Sequence, residues 1–371
     1  MLAVLHVLSS LKLGGAERIT LALAKHQRDE GMDAQILNLG SEDDFLVTVG
    51  REKAIPLTVS EVGSSRVARY AQINNLFKQF AVVHIHSPRA LQFIAPLLPL
   101  HNKVRFIYTR HGLNPLRGFY WKMLHLCARK FIYKATFVTQ SACDVFKREF
   151  KWPENKTVVI ENGVYIPTGT IRSSTYPLRF GSVGRMIGLK GQKNLLQSVA
   201  TLCGNKAGNT CEQFELHFYG SGPLEEKLKK QAEAIPGAAI VFHGEVSDIS
   251  SIYNNLDVLI VASETEGLSM VIIEAMAHGV PVIATRVGGN PTLVFQNISG
   301  ILVEYADIED MQNAISAFLQ NPDLIHTYGV AAREYIANMF SLDKTHQAYL
   351  TQYQEQSTTK AQPKPGKKIY R

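Results

Sequence analysis

Short apolar runs alternate with amphipathic stretches along most of this chain. The apolar runs are rich in β-branched residues and are bounded by polar or glycine positions, as strands covered on both faces of a parallel sheet are. They occupy residues 2–8, 34–39, 57–62, 81–86, 104–109, 136–140, 180–183, 214–219, 257–262 and 280–284. Helical periodicity marks residues 18–30, 117–134, 141–150, 194–202, 268–278, 307–320, 323–340 and 342–356. The alternation predicts an α/β protein built on doubly wound parallel sheets.

The length and the composition predict two domains and a tail. At 371 residues the chain exceeds the usual size of one domain, and residues 166–176 are rich in Pro, Gly, Ser and Thr. We therefore expect a first domain over residues 1–165, a linker over 166–176 and a second domain over 177–340. Residues 357–371 hold five basic residues, two prolines and no acid. This segment is predicted to be disordered.

One strand, loop and helix, residues 257–278, carry the most informative chemistry. Glu266 lies at the mouth of the predicted helix and Glu274 lies inside it. Eight helical residues span about 12 Å, so the two carboxylates could reach opposite ends of one elongated ligand but could not share a proton. Between them, a helix N-terminus offers unpaired N–H groups to a phosphate. A nucleotide sugar has hydroxyls at both ends and a diphosphate in the middle, and it fits this arrangement.

This stretch resembles a known enzyme family. Glu266-Gly267, the spacing to Glu274 and the following EAMAHGVPVIAT are similar to the donor-site signature of the retaining GT-B glycosyltransferases of family 4. The resemblance implies two Rossmann-like domains that face a cleft, and a last helix, residues 341–356, that crosses back to the first domain. It also implies transfer of a hexosyl unit, with retention and without a metal or other cofactor, from a nucleotide sugar to a glycan or lipid-linked acceptor. Bacterial envelope or capsular polysaccharide synthesis is the expected setting.

The same resemblance assigns the candidate site residues. His111, after an apolar strand, is similar to the family's histidine near the reacting anomeric carbon, and Glu266 is expected to hold sugar hydroxyls. Both are predicted to be catalytic. The remaining candidates are predicted to bind the donor: its diphosphate, its ribose hydroxyls or its base. They are Gly14, Gly15, Arg185, Lys190, Val246, Gly267, Leu268, Ser269 and Glu274.

Positive charge is concentrated in the first half of the chain. Between Glu61 and Asp144 there are twelve basic residues and no acid, within an overall net charge of +7. Inside this region, the predicted helix 117–134 places Tyr120, Leu124, Cys127 and Phe131 along one line. That line could pack on the core, or it could dock on an anionic membrane. A peripheral position on the inner face of the cytoplasmic membrane is the expected location.

Several function classes are disfavoured. No apolar run reaches the length of a membrane span, and no signal peptide is recognisable. The four cysteines show no CxxC pair, so we expect reduced thiols and neither a disulfide framework nor a zinc site. No D-x-D triplet suggests a metal-bridged diphosphate, and no motif suggests nucleic-acid binding. A nucleotide-sugar epimerase and a non-catalytic nucleotide-sugar-binding protein remain as alternatives.

Overall fold

The computed structural model describes residues 1–12, 14–60, 65–112, 116, 118–171, 176–205 and 210–354. The predicted tail, the end of the last predicted helix, Arg117, Val62 and most of the predicted linker's second half therefore lie outside the described residues. Within the described parts, the chain forms two all-parallel sheets with helices between successive strands. The predicted fold class is confirmed.

The first sheet has seven strands in the order β3-β2-β1-β4-β5-β6-β7. These strands are β1 (Ala3–Leu8), β2 (Asp33–Asn38), β3 (Leu57–Val59), β4 (Val82–Ile85), β5 (Arg105–Arg110), β6 (Ile132–Phe137) and β7 (Thr157–Val159). The second sheet has six strands in the order β10-β9-β8-β11-β12-β13. They are β8 (Leu178–Val183), β9 (Phe214–Tyr219), β10 (Ala239–Phe242), β11 (Val258–Val261), β12 (Val282–Thr285) and β13 (Gly300–Val303).

Helices connect the strands and cover both faces of each sheet. In the first half they are α1 (Gly15–Asp29), α2 (Phe45–Glu52), α3 (Arg66–Phe77), α4 (Pro88–Ile94), α5 (Phe119–Ala128) and α6 (Gln140–Phe150). In the second half they are α7 (Gln192–Asn205), α8 (Glu225–Glu233), α9 (Ile249–Tyr253), α10 (Met270–Ala277), α11 (Asn290–Leu293), α12 (Ile308–Gln320), α13 (Asp323–Met339) and α14 (Leu342–Gln354). Short 3-10 turns occupy Ala95–Leu100, Glu154–Lys156, Gly188–Lys190 and Thr210–Gln213.

Each sheet has its own hydrophobic core. Leu5, Val83 and Phe106 are fully buried in the first core, and Phe180 and Ile260 are buried in the second. The strand order reverses between β1 and β4 in the first sheet and between β8 and β11 in the second. In open parallel sheets, ligands bind beyond the carboxyl ends of the strands at such a reversal. A ligand-binding site is therefore expected at the loops that follow these four strands.

The last helix, α14, packs against the first sheet. Its Tyr349 and Tyr353 are buried with Val4 and Val82 in one cluster. The Arg105 guanidinium donates a hydrogen bond of 2.6 Å to the Tyr353 carbonyl oxygen. The polypeptide thus returns to the first half after completing the second sheet.

The predicted helix over residues 117–134 is wrong in its extent, and of the two alternatives for its apolar line the structure does not support packing on the core. Helix α5 ends at Ala128, and β6 begins at Ile132, whose side chain is fully buried in the core of the first sheet. The helix buries His125 and Ala128. Tyr120 and Phe131 are 53% and 42% exposed, so the predicted apolar line does not pack on the core.

The expectation of four reduced cysteines is also wrong. Cys203, near the end of α7, forms a disulfide with Cys211 in the following 3-10 turn, and their Cα atoms are 5.5 Å apart. Cys127 and Cys143 are free. The spacing of the four cysteines alone does not reveal this pair. No helix in the described part of the chain combines the length and the apolar character needed to cross a membrane.

Candidate active site

A cavity of about 410 Å³ opens between the two halves. From the first half, its wall includes Gly15 at the start of α1, His111 after β5 and Asn162 after β7. From the second half it includes Glu266 and Gly267 in the loop before α10. Both predicted catalytic residues, Glu266 and His111, therefore face one space. Thr139, Leu268 and Met270 also line it.

The Glu266 carboxylate is held by two neighbours. Its Oε1 atom accepts hydrogen bonds from Lys190 Nζ at 2.6 Å and from Ser263 Oγ at 2.7 Å. The backbone around it is tightly packed, since a Cβ atom on Gly288 would collide with the Glu266 carbonyl oxygen. Gly288 also has a positive φ of 52°, which glycine adopts without strain. The loop after β12 thereby fixes the loop that carries Glu266.

Glu274 occupies a largely enclosed position on α10. Its Oε2 atom accepts a hydrogen bond of 3.0 Å from the Tyr253 hydroxyl. Burial raises the pKa of Glu274 to about 7, and the positive charge of Arg18 and the hydrogen bond from Tyr253 act in the opposite direction. A carboxyl group with this pKa is poised between its ionised and neutral forms near neutral pH.

Arg18 joins the two halves across the cleft, and sequence reasoning missed it. It lies in the first turn of α1, three residues after Gly15, and its Nη2 atom donates a hydrogen bond of 2.8 Å to the carbonyl oxygen of Val246. Val246 is the residue predicted to lie beside the nucleotide base. In the sequence, the signal for this residue was a basic side chain about one helical turn after the Gly14-Gly15 pair.

The N-terminus of α10 provides an anion-binding geometry. The helix begins at Met270, two residues later than predicted, with Ser269 as its N-cap residue. The Ser269 hydroxyl is buried and has no hydrogen-bond partner among the described residues. Unpaired N–H groups at such a helix end favour a negatively charged ligand.

The two predicted diphosphate cations differ in their environments. Lys190 ends a 3-10 turn and reaches Glu266, whereas the Arg185 side chain is exposed. The Arg185 carbonyl oxygen accepts a hydrogen bond of 3.2 Å from Gln192 Nε2, which ties its loop to α7. The structure thus brings Lys190 into contact with the predicted catalytic carboxylate and leaves the Arg185 side chain exposed.

The His111 ring contacts His86, the residue that follows the neighbouring strand β4. Its Nε2 atom lies 3.0 Å from Nδ1 of His86. Burial lowers the pKa of His111 to about 4, with the Asn162 side chain acting in the opposite direction and the charge of Arg110 adding to the decrease. The ring is therefore neutral at physiological pH. His84 and His86 are 0% and 3% exposed and are not among the residues that line the cavity.

Two family models match the chain, one in each half. The model described as Glycosyltransferase Family 4 matches residues 13–166, and the model described as Glycosyl transferases group 1 matches residues 177–321. Together they cover most of the sequence. Their division falls in the same region of the chain as the division between the two sheets.

Proteins of similar sequence and fold are also known. The chain is 24% identical over 331 residues to an uncharacterized glycosyltransferase of Haemophilus influenzae, covering 84% of this chain and 88% of that protein. It is 25% identical over 306 residues to the capsular polysaccharide biosynthesis glycosyltransferase CapM of Staphylococcus aureus, covering 74% and 79%. The crystal structure of Anabaena HepE in complex with UDP-glucose aligns with a TM-score of 0.75 at 20% identity, covering 94% of this chain and 98% of that one.

These matches agree with the two parallel sheets and with the cleft between them. The predicted GT-B glycosyltransferase family and its two Rossmann-like halves are confirmed. The chain belongs to the GT-B glycosyltransferases.

Proposed function

We propose that this protein is a retaining, metal-independent hexosyltransferase that uses a nucleotide sugar, with UDP as the first nucleotide to test. One observation carries the proposal: Glu266, which Lys190 contacts, and the N-terminus of α10 line one cavity together with His111. The fold neighbour HepE, which was crystallised with UDP-glucose, supports the choice of nucleotide.

The proposed donor lies along the second half, with its diphosphate at the N-terminus of α10. Loss of the nucleoside diphosphate creates negative charge on the leaving phosphate. Lys190, Arg185 and the helix N-terminus would stabilise this charge because they are positioned before the reaction begins. Lys190 would turn from Glu266 to the diphosphate when the donor enters. These positive groups perform the task that a divalent metal performs in other transferases, which is our reason for proposing metal independence.

The two glutamates would hold the two ends of the donor. Glu266 lines the cavity and accepts hydrogen bonds already, so it is suited to sugar hydroxyls. Glu274 would hold the ribose hydroxyls, beside Val246 at the base. In the proposal Gly14 and Gly15, at the start of α1, allow the backbone to approach the diphosphate closely.

The acceptor would enter from the first half. Asn162 and Thr139 line the cavity beside His111 and offer polar atoms to an acceptor hydroxyl. Capsular polysaccharide synthesis by the relative CapM supports a glycan or lipid-linked acceptor in bacterial envelope assembly.

Peripheral contact with an anionic membrane completes the proposal. Helix α5 exposes Phe119 (77%), Tyr120 (53%) and Met123 (40%) on the surface of the basic half. Lys122 and Lys130 are exposed beside them. Apolar side chains that insert and basic side chains that attract anionic headgroups are the features of an interfacial helix, and each basic residue contributes roughly 1 kcal/mol.

Product analysis tests the function. The purified protein is incubated in EDTA with UDP-, GDP- or ADP-hexoses and with lipid-linked or free glycan acceptors, and the new linkage is identified by ¹H NMR. We expect transfer with the anomeric configuration of the donor. An inverted product or a strict metal requirement would refute the mechanism. Epimerised donor without acceptor would indicate the epimerase, and binding without turnover would indicate a binding protein.

A further inference from the structure

Four buried side chains form a line of hydrogen bonds that ends at His111. Gln27 of α1 contacts His6 of β1 (Oε1 to Nε2, 2.8 Å), and His6 contacts His86 after β4 (Nδ1 to Nε2, 2.9 Å). His86 then contacts His111 after β5 (Nδ1 to Nε2, 3.0 Å). Gln27 and His6 are fully buried, and His86 is 3% exposed. We call these four residues the histidine line.

All three imidazoles of the line are neutral. Burial lowers the pKa of His6 to about 4 and that of His111 to about 4, and it lowers the pKa of His86 well below its usual value. A neutral imidazole carries one N–H donor and one bare nitrogen acceptor. Each ring can therefore donate one hydrogen bond along the line and accept one.

The carboxamide of Gln27 determines the direction of the whole line. Its Oε1 atom only accepts, so His6 must carry its proton on Nε2 and accept at Nδ1. His86 then donates from Nε2 and accepts at Nδ1, and His111 donates from Nε2. His111 Nδ1 is left with a lone pair, and this atom has no hydrogen-bond partner among the described residues. Reversing one ring alone would set two lone pairs or two protons against each other.

Helix α14 lies beside the line but is not part of it. The Tyr353 hydroxyl lies 2.7 Å from His84 Nδ1, and His84 Nε2 lies 2.6 Å from Thr109 Oγ1. The amide nitrogen of Gln27 has no hydrogen-bond partner among the described residues. The Gln27 side chain therefore joins the line through its Oε1 atom alone.

A metal site is the competing interpretation of the same residues. Nitrogen atoms of His6, His84 and His86 lie within 4.8 Å of one another. However, His6 and His86 share a hydrogen bond, and both nitrogens of His84 are bonded to Tyr353 and Thr109. An ion would have to replace these bonds, and the three residues bring no carboxylate to balance its charge. The hydrogen-bond geometry favours the line.

We propose that Gln27, His6 and His86 are positioning residues that fix His111 as a hydrogen-bond acceptor, with its proton on Nε2 and a lone pair on Nδ1. Nδ1 is buried within the cavity wall, and His111 lines that wall beside Asn162, so its tautomer sets the polarity of the wall that a substrate sugar hydroxyl meets. The substrate part rests on the proposed glycosyltransfer, whereas the tautomer is a property of the free protein. The two parts can therefore fail separately.

The tautomer is measured directly by NMR. The full-length protein is labelled with ¹⁵N at its 12 histidines, and long-range ¹H–¹⁵N correlation spectra are recorded at pH 7.5. The signals of His111 are assigned by their loss in His111→Gln. We expect one tautomer at His111, protonated at Nε2. Protonation at Nδ1, an averaged mixture, or a stoichiometric metal ion found by elemental analysis would overturn the proposal.

A variant at the far end of the line tests the coupling. Gln27→Met removes the acceptor and would leave the His6 N–H unpaired, and a buried unpaired N–H is rarer and costlier than a bare acceptor. The line should reverse, so His111 should become protonated at Nδ1. We then expect kcat to fall about tenfold to a hundredfold with donor KM changed less than about threefold, because the misplaced group acts on the reacting sugar.

His125→Phe is the matched control for loss of stability. His125 is an equally buried histidine of the same half, and neither of its ring nitrogens has a hydrogen-bond partner among the described residues. This change should leave the His111 tautomer and kcat unchanged. An unchanged tautomer in Gln27→Met, or an equal change in His125→Phe, would overturn the proposal. If no donor supports turnover, the NMR result still decides the tautomer.

Discussion

Replacing Glu274 with glutamine should stabilise the fold in a pH-dependent way. Burial raises the pKa of Glu274 from 4.5 to about 7 in the folded protein. Between these two values the unfolded carboxyl is ionised while the folded one resists ionisation, so the folded state loses stability as pH rises. The shift corresponds to up to about 3 kcal/mol at pH 8, and to less than about 1 kcal/mol at pH 5. Glutamine has no charge to bury and can still accept the hydrogen bond from Tyr253.

Denaturant unfolding at pH 5 and pH 8 measures this difference. Glu274 keeps some contact with solvent, so we expect a gain of about 1 to 3 kcal/mol for Glu274→Gln at pH 8 and a gain below about 1 kcal/mol at pH 5. The same variant should raise the donor KM, because a carboxylate pairs with ribose hydroxyls better than an amide does. A variant that is no more stable than the wild type at pH 8, or equally stabilised at both pH values, would refute a buried carboxyl with a raised pKa.

Three further changes probe the cleft and the surface. Arg185→Ala should lower kcat by on the order of a hundredfold with little loss of stability, because an exposed cation that stabilises the leaving diphosphate is removed. Arg18→Gln should raise the donor KM several-fold and shift the pH dependence of donor binding to higher pH, since it removes the hydrogen bond across the cleft and a positive charge near Glu274. The pair of changes Phe119→Ser and Met123→Ser should reduce co-sedimentation with anionic liposomes at low salt, without affecting transfer to a water-soluble acceptor.

Each of these changes has a control on the same molecule. An unchanged kcat in Arg185→Ala would remove that residue from the mechanism. Arg28→Gln, on the same helix as Arg18 and paired with Asp33 at the surface, should leave donor binding unaltered. If Arg28→Gln weakens donor binding as much as Arg18→Gln does, the weaker binding is caused by the loss of positive charge in general and not by the loss of the hydrogen bond across the cleft. Val67→Ser, at an equally exposed apolar position, should not reduce liposome binding.

Local patterns allowed much of the second half to be predicted from sequence. The strand, loop and helix that carry Glu266 and Glu274 lie within one short stretch, and the structure has them as β11 and α10 with small differences at their ends. The whole strand Phe214–Tyr219 was predicted with correct bounds, because a short run that is buried almost throughout is typical of a strand covered on both faces. By contrast, β13 was missed because Gly300 and a short apolar run give a weak signal.

Contacts between distant parts of the chain could not be predicted. Arg18 and Val246 are separated by 228 positions, and only the docking of one sheet against the other brings them together. The histidine line joins a helix, a strand and two loops, so its members share no spacing that a motif could reveal. The helix predicted over residues 117–134 failed because apolar periodicity does not distinguish a strand such as Ile132–Phe137 from a further helical turn.

Donor binding is the most direct test of the central claim that a nucleotide sugar occupies the cleft without a metal. The melting temperature of the full chain is measured in EDTA with UDP-, GDP- and ADP-sugars, and again with Glu274→Ala. A ligand at a hundred times its Kd stabilises the folded state by about 2.7 kcal/mol. We predict a clear rise in the melting temperature with the sugars of one nucleotide, and the loss of that rise in Glu274→Ala. No rise with any nucleotide sugar, or an equal rise in Glu274→Ala, would contradict it.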